Sequence, residues 1–226
     1  MRLLRGAKSM HGDVRGGREL ERGFTGSREY WLARYDAGRS SGAGSGGVLA
    51  RYKAAVIGRQ LAQWQVRDVI EFGCGDGRQL ALIHYPAYLG LDPSPAALAR
   101  CRERVGHRPG CRLALLDDYT GEEADLTLSL DVVYHLVEDA AFEEHMRLLF
   151  DAARRHVIIY SSNHDAPAGP EAPHVRHRMF TRWVERERPQ WQLLEHLPNP
   201  YPFRGDVHSG SFSDFHFFGR VPGAGP

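Results

Sequence analysis

The sequence predicts an α/β fold: a doubly wound, Rossmann-like, mostly parallel sheet with helices on both faces. Three observations predict it. From residue 48 onward, short apolar runs alternate with stretches of helical spacing. The short runs are almost continuously apolar, as strands covered on both faces must be. One of them, Val69–Phe72, leads straight into a turn containing Gly73, Gly75 and Gly77, and doubly wound folds bind ligands at such strand-to-helix turns. A length of 226 residues, 42% of them hydrophobic and 25% charged, suits one domain with an ordinary core.

The elements follow in order. Val48, Leu49, Tyr52, Val56, Ile57, Leu61 and Trp64 predict a helix over 48–65. Strands are predicted at Val69–Phe72, at 88–91, at 113–116, at Ala124–Leu130 and at 157–160. A helix is predicted to begin over 78–84. Another starts at Pro95 with Ser94 as its N-cap and continues to about residue 105. Residues 138–153 are amphipathic and predict a helix. Pro167, Pro170 and Pro173 interrupt the alternation. A helix over 180–188 and two strands, Trp191–Leu197 and 213–221, read as an antiparallel closing pair.

Charge and cysteine usage exclude several classes. There are 29 basic and 28 acidic side chains, so the formal charge of +1 argues against a nucleic-acid or acidic-membrane binder. No apolar run reaches the roughly 18 residues of a membrane helix. The three cysteines (Cys74, Cys101, Cys111) predict reduced thiols and a cytoplasmic location. Residues 1–28 carry a net charge of +4 against −3 for the rest, with few large apolar side chains. They predict a disordered leader. Residues 29–47 combine Tyr30, Trp31 and Tyr35 with a Gly/Ser loop and predict a lid or cap, leaving 48–226 as the main domain.

The turn carries the strongest signal. Residues 69–77 read Val-Ile-Glu-Phe-Gly-Cys-Gly-Asp-Gly. Gly73 and Gly75 permit a tight turn and close backbone approach to a ligand. The spacing is GxGxG, whereas a dinucleotide fingerprint needs its third glycine one place later, and no Gly-Lys-Ser/Thr of a phosphate loop follows. Glu71 at the strand end would repel a pyrophosphate and suits a cationic ligand. Asp92 ends the next strand, 19 residues after Gly73, where such folds place a carboxylate that accepts from ribose hydroxyls. Asp117 or Asp118 ends the third strand and is placed to accept from an adenine amino group.

These residues resemble the class I S-adenosylmethionine-dependent methyltransferases over about residues 48–220. Glu71 to Gly77 matches the first motif, Leu91-Asp92 the ribose-binding motif, and Asp117-Asp118 the adenine-side motif. The stretch from Ser129 through Leu130 to Leu136 is similar to the motif after the fourth strand. The resemblance implies a seven-stranded sheet with one antiparallel strand, S-adenosylmethionine as cofactor and S-adenosylhomocysteine as product. It also implies that Trp31 and Tyr35 pack against the cofactor and that loop 41–47 meets its methionine end. Arg34, Arg51 or Lys53 would pair the methionine carboxylate.

Methyl transfer from a sulfonium is an in-line displacement that needs positioning and, for a hydroxyl acceptor, a base. His135 is the candidate base, because an unperturbed imidazole titrates near 6.5. Asp131 would orient the acceptor, and Tyr134 would contact acceptor or cofactor. Asn163 lies at the carboxyl end of the fifth strand. His174, Arg176, His177 and Arg178 form a cationic cluster that predicts an anion grip on the acceptor. His174 and His177 lack the context of a metal site, and no metal is predicted. The reading is therefore a methyltransferase acting on O or N of a small polar acceptor, anionic if the grip forms. An Asn/Asp-Pro-Pro-aromatic motif, the mark of amino-DNA methyltransferases, is missing at Ser129–Val132 in the family frame. The alternatives are an NAD-type oxidoreductase of the same architecture and a catalytically inactive cofactor-binding module.

Overall fold

A computed structural model of the chain describes residues 23–166, 169 and 172–221. The leader read over 1–28 lies outside the described residues as far as residue 22, as do the breaks at Pro167 and Pro170.

Seven strands form one sheet: β1 (Val69–Phe72), β2 (Tyr88–Asp92), β3 (Cys111–Leu115), β4 (Ala124–Leu130), β5 (Ala153–Ser161), β6 (Trp191–Leu197) and β7 (Asp214–Arg220). Their spatial order is β3-β2-β1-β4-β5-β7-β6. β1 to β5 run parallel, and β7 is antiparallel to both β5 and β6. Among the described residues five helices accompany them: α1 (Ser27–Asp36), α2 (Gly47–Gln63), α3 (Pro95–Val105), α4 (Asp139–Asp151) and α5 (Phe180–Glu187). Among the described residues no helix is long and apolar enough to cross a membrane.

The apolar side chains sort by strand parity onto two faces. Val69, Leu126, Leu128, Ile158 and Phe217 pack on one face with Ile57 of α2 and Leu98 of α3. Ile70, Phe72, Val157 and Ile159 pack on the other with Met146 and Leu149 of α4 and Phe180 of α5. Burial of each such side chain stabilises by about 1.5–3 kcal/mol. Coverage on both faces explains why β1, β2 and β4 are buried at every position.

Four boundaries differ from the sequence reading. No α-helix forms over 78–84; a 3-10 turn at Leu80–Leu82 stands there. The Arg108 guanidinium takes the carbonyls of Leu80, Ala81 and Ile83, and Pro86 has no N–H to extend a helix. β3 starts two residues early because Cys111 pairs with Tyr88 of β2. β5 starts at Ala153 and so shortens α4. Its polar start is paid for by ion pairs: Arg154 meets Asp68 at 2.5 Å and Asp125 at 3.0 Å. These guanidinium contacts, with Arg67 foremost, hold the Asp125 carboxyl well below the usual carboxylate range. Finally, α1 begins at Ser27, inside the stretch read as leader. Ser27 is buried, and its Oγ accepts from Val137 N at 2.9 Å.

Candidate active site

Sheet order reverses between β1 and β4, the switch point where doubly wound folds open a ligand crevice. A cavity of about 450 Å³ lies there, in the range that holds one small organic ligand.

The Gly turn forms its floor. Gly73 and Gly75 have φ of 91° and 59°, in the left-handed region. A Cβ on Gly73 would stand 2.5 Å from Val132 Cγ2, and one on Gly75 2.6 Å from Ser41 Oγ. Glycine is needed here for both conformation and space. The turn is tied to β2: Gly73 N and Cys74 N both donate to Leu91 O.

Asp92 continues this tie. Its Oδ2 accepts from Gly75 N and its Oδ1 from Ser94 N, each at 2.9 Å. The carboxylate is thereby held in one orientation at the cavity wall, with a second lone pair on each oxygen. Burial pushes its pKa up to about 6. Glu71 is also buried and lines the cavity, where Tyr88 Oη donates to its Oε2 at 2.5 Å. Burial pushes Glu71 up to about 7, opposed by the Tyr88 hydrogen bond and by Lys53.

Lys53 meets Asp131 at the end of β4. Their N–O distance is 2.5 Å, and the side chains are 1% and 15% exposed. Asp131 Oδ1 also accepts from Tyr134 Oη at 3.1 Å and Ser213 Oγ at 3.3 Å. Asp131 has φ 59°, in the left-handed region that Asp and Asn enter more readily than other residues with a Cβ. Of the three cations proposed for the methionine end, Lys53 alone lines the cavity. Arg51 is exposed on α2, and Arg34 Nε donates to Ser40 O.

The stretch read as a lid supplies the opposite wall. Trp31 and Tyr35 of α1 line the cavity, as do Ser41 and Ser45 of the following loop. Ser41 Oγ donates to Asp76 Oδ1 at 2.8 Å, and Tyr35 Oη shares a 2.9 Å hydrogen bond with Ser41 Oγ. Arg100 of α3 donates to the carbonyls of Tyr35 and Arg39. At the opposite end Arg28 reaches Asp117 at 2.5 Å. A ligand held between lid and floor should protect the lid. Trypsin cleavage after Arg34 and Arg39 is expected to slow by about tenfold or more at saturating S-adenosylhomocysteine. Equal cleavage rates with and without it would remove the lid reading.

Several site residues take other places than the sequence suggested. Asp117 lines the cavity; Asp118, its neighbour, is exposed and does not. Leu130 lines it as well. His135 lines the cavity with its ring edge-on to Trp31, centroids 4.8 Å apart. Its Nδ1 lies 2.9 Å from His174 O, a carbonyl that only accepts, so Nδ1 carries the hydrogen and Nε2 the lone pair. Burial lowers its pKa to about 3. The base argument from an unperturbed imidazole is therefore corrected: His135 is a neutral hydrogen-bond acceptor at pH 7, not a proton store.

Tyr134, Asn163, His174, Arg176, His177 and Arg178 do not line this cavity. Tyr134 is buried and holds Asp131. Asn163 ties the first turn of α5 by accepting from Thr181 N. His174 stacks on Tyr30, centroids 4.3 Å apart, and His177 Nδ1 bonds Ser162 Oγ. Arg178 reaches Asp139 at 2.6 Å and the Val137 carbonyl, and Arg176 reaches Asp139 at 3.0 Å and the same carbonyl. The cluster thus clamps the 136–139 turn and does not form the anticipated anion grip.

Gln79 and His145 are among the lining residues that the sequence reading did not name. His145 lies on the buried face of α4, with Nε2 at 2.8 Å from Ser129 Oγ; burial lowers its pKa to about 4. Its place in the amphipathic pattern was the one available signal.

A Gly turn, an acid ending β2 and a cavity at the switch point define the Rossmann-like fold that class I methyltransferases share. Residues 70–153 match the family model described as methyltransferase domain, and that family uses S-adenosylmethionine. The fold is similar to the methyltransferase domain of bacterial CtHen1, at 19% identity and TM-score 0.59, covering 76% of this chain and 98% of that one. It is also similar to N-methyltransferase NodS from Bradyrhizobium japonicum WM9, at 15% identity and TM-score 0.58, covering 76% and 94%. A third likeness is magnesium protoporphyrin IX methyltransferase from Synechocystis PCC 6803 with bound S-adenosylhomocysteine, at 14% identity and TM-score 0.56, covering 76% and 83%. No curated protein matches the chain by sequence.

Proposed function

We propose that this protein binds S-adenosylmethionine in the cavity between lid and Gly turn and methylates O or N of a small polar acceptor. The observation that carries the reading is the pairing of Asp92 with Gly75 N at the switch point, facing a lidded cavity sized for one ligand. The donor set fits the group. Asp92 offers acceptors to ribose hydroxyls, Asp117 stands at the adenine end, and Lys53 offers a cation to a carboxylate. When bound, the cofactor supplies a methyl group on an electrophilic sulfonium. The chain's own residues then do three things. Trp31 and Tyr35 exclude water. Glu71 stabilises positive charge, and the neutral Nε2 of His135 accepts a hydrogen bond from an acceptor O–H or N–H, which orients that atom. Because Arg176 and Arg178 do not line this cavity, the reading drops the anionic acceptor.

Calorimetric titration with S-adenosylhomocysteine, set beside NAD⁺ and NADH, tests the reading. Binding of S-adenosylhomocysteine alone is expected, and binding of the nicotinamide cofactors alone would favour the oxidoreductase. Turnover of a screened acceptor with S-adenosylmethionine then separates an enzyme from an inactive module. The affinity should also depend on pH. Glu71 titrates near 7 and is protonated below it, so a ligand carrying positive charge must displace that proton. Affinity is expected to rise by about tenfold between pH 6 and 8, with protons released on binding. A flat profile would mean that Glu71 does not face the ligand's cationic end.

A further inference from the structure

Among the described residues, ten buried side-chain nitrogen or oxygen atoms have no hydrogen-bond partner. Of the residues that carry them, Gln79 alone lines the cavity. Its side chain is 6% exposed and sits directly after the Gly turn. Nε2 donates to Ala50 O at 3.1 Å. A carbonyl can only accept, so the amide nitrogen faces Ala50 and the orientation of the amide is settled. Oε1 is therefore an acceptor, buried and unpaired. Buried unpaired acceptors are uncommon in folded proteins, and a ligand N–H is the natural remedy.

The surroundings say which N–H. Ala50 and Lys53 stand three residues apart on one face of α2, so Gln79 lies at the Lys53 end of the cavity. Glu71 lines the same end and feels the Lys53 charge. This end therefore offers one cation, Lys53, which Asp131 holds in place, and two further acceptors, Glu71 and Gln79. A zwitterionic amino acid presents the complement: one carboxylate and one ammonium with three donors.

We propose that Gln79 binds the α-ammonium of the cofactor's amino-acid end through Oε1, alongside Glu71, while Lys53 takes the carboxylate. The inference rests on the methyltransferase reading and adds a residue to it. Gln79 discriminates the amino acid from the nucleoside: it senses whether the thioether chain carries an amino group.

The test uses calorimetric titration of the full chain and of Gln79→Leu. The two ligands are S-adenosylhomocysteine and its deaminated analogue, which keeps the carboxylate. Wild type is expected to bind S-adenosylhomocysteine about ten- to a hundredfold more tightly than the analogue, and Gln79→Leu to lose about three- to tenfold of that difference, Glu71 keeping the rest. The analogue should bind both proteins alike, which shows that the cavity survives the substitution. An undiminished preference in Gln79→Leu overturns the inference and leaves the methyltransferase reading standing. Equal weakening of both ligands also overturns it, since Gln79 would then only hold α2 through Ala50. If wild type binds neither ligand, the methyltransferase reading falls, and this inference with it.

Discussion

Asp92→Ala is expected to abolish S-adenosylhomocysteine binding, with affinity falling by at least about a hundredfold. Two effects combine. The ribose loses its charged acceptors, and each hydrogen bond to a charged group contributes about 1.5–3 kcal/mol. The turn also loses its anchor, because Gly75 N and Ser94 N donate to the two Asp92 oxygens. Asp92→Asn should weaken binding nearly as much. Both carboxylate oxygens accept backbone N–H groups, so the amide nitrogen of Asn must face one of those donors. Isothermal titration reads both variants, and circular dichroism checks the fold. An Asp92→Ala protein that binds within threefold of wild type would place the ribose elsewhere and undo the proposed site.

Lys53→Met should cost about 3–5 kcal/mol of stability, the usual effect of leaving one partner of a buried ion pair alone. Thermal melting should show a fall of about 10 °C for a chain of this size. The pair meets at 2.5 Å with side chains 1% and 15% exposed, so water reaching Asp131 from the cavity replaces little of the lost cation. Asp131 also sits at φ 59°, in the left-handed region. Adding Asp131→Asn to Lys53→Met should recover about half of the loss. Asn removes the charge, tolerates the left-handed region and still accepts from Tyr134 Oη. A single variant that melts within about 2 °C of wild type would show that the pair carries little stability.

Much of this was legible because it is local. The Gly turn, Glu71 and Asp92 are set by short spacings along one strand-turn-helix unit and the strand after it. The capping of α3 was equally local: Ser94 Oγ accepts from Ala97 N at 3.1 Å. Strand positions followed from apolar runs, and the antiparallel closing pair from two such runs near the end.

What failed was decided by partners distant in sequence. Asp117 and Asp118 are chemically alike, and only the 3-10 turn at Leu116–Asp118 decides which faces the cavity. The 78–84 helix was lost to Arg108, some 25 residues away. The basic 174–178 cluster read as a ligand grip because its counterpart, Asp139, lies 39 residues upstream of Arg178. His135 read as a base because burial, which lowers its pKa, leaves no mark in the sequence. Gln79 had no signal at all: its significance is an unpaired oxygen, and pairing is a property of the packed state.

The sequence by itself thus determined the sheet class and the polar ends of β1 and β2, since strand parity and turn geometry act over a few residues. Only the tertiary structure decided which cation reaches the cavity, which acid faces it and which charges are already paired. Those choices depend on what each side chain meets across the fold, between residues far apart in sequence.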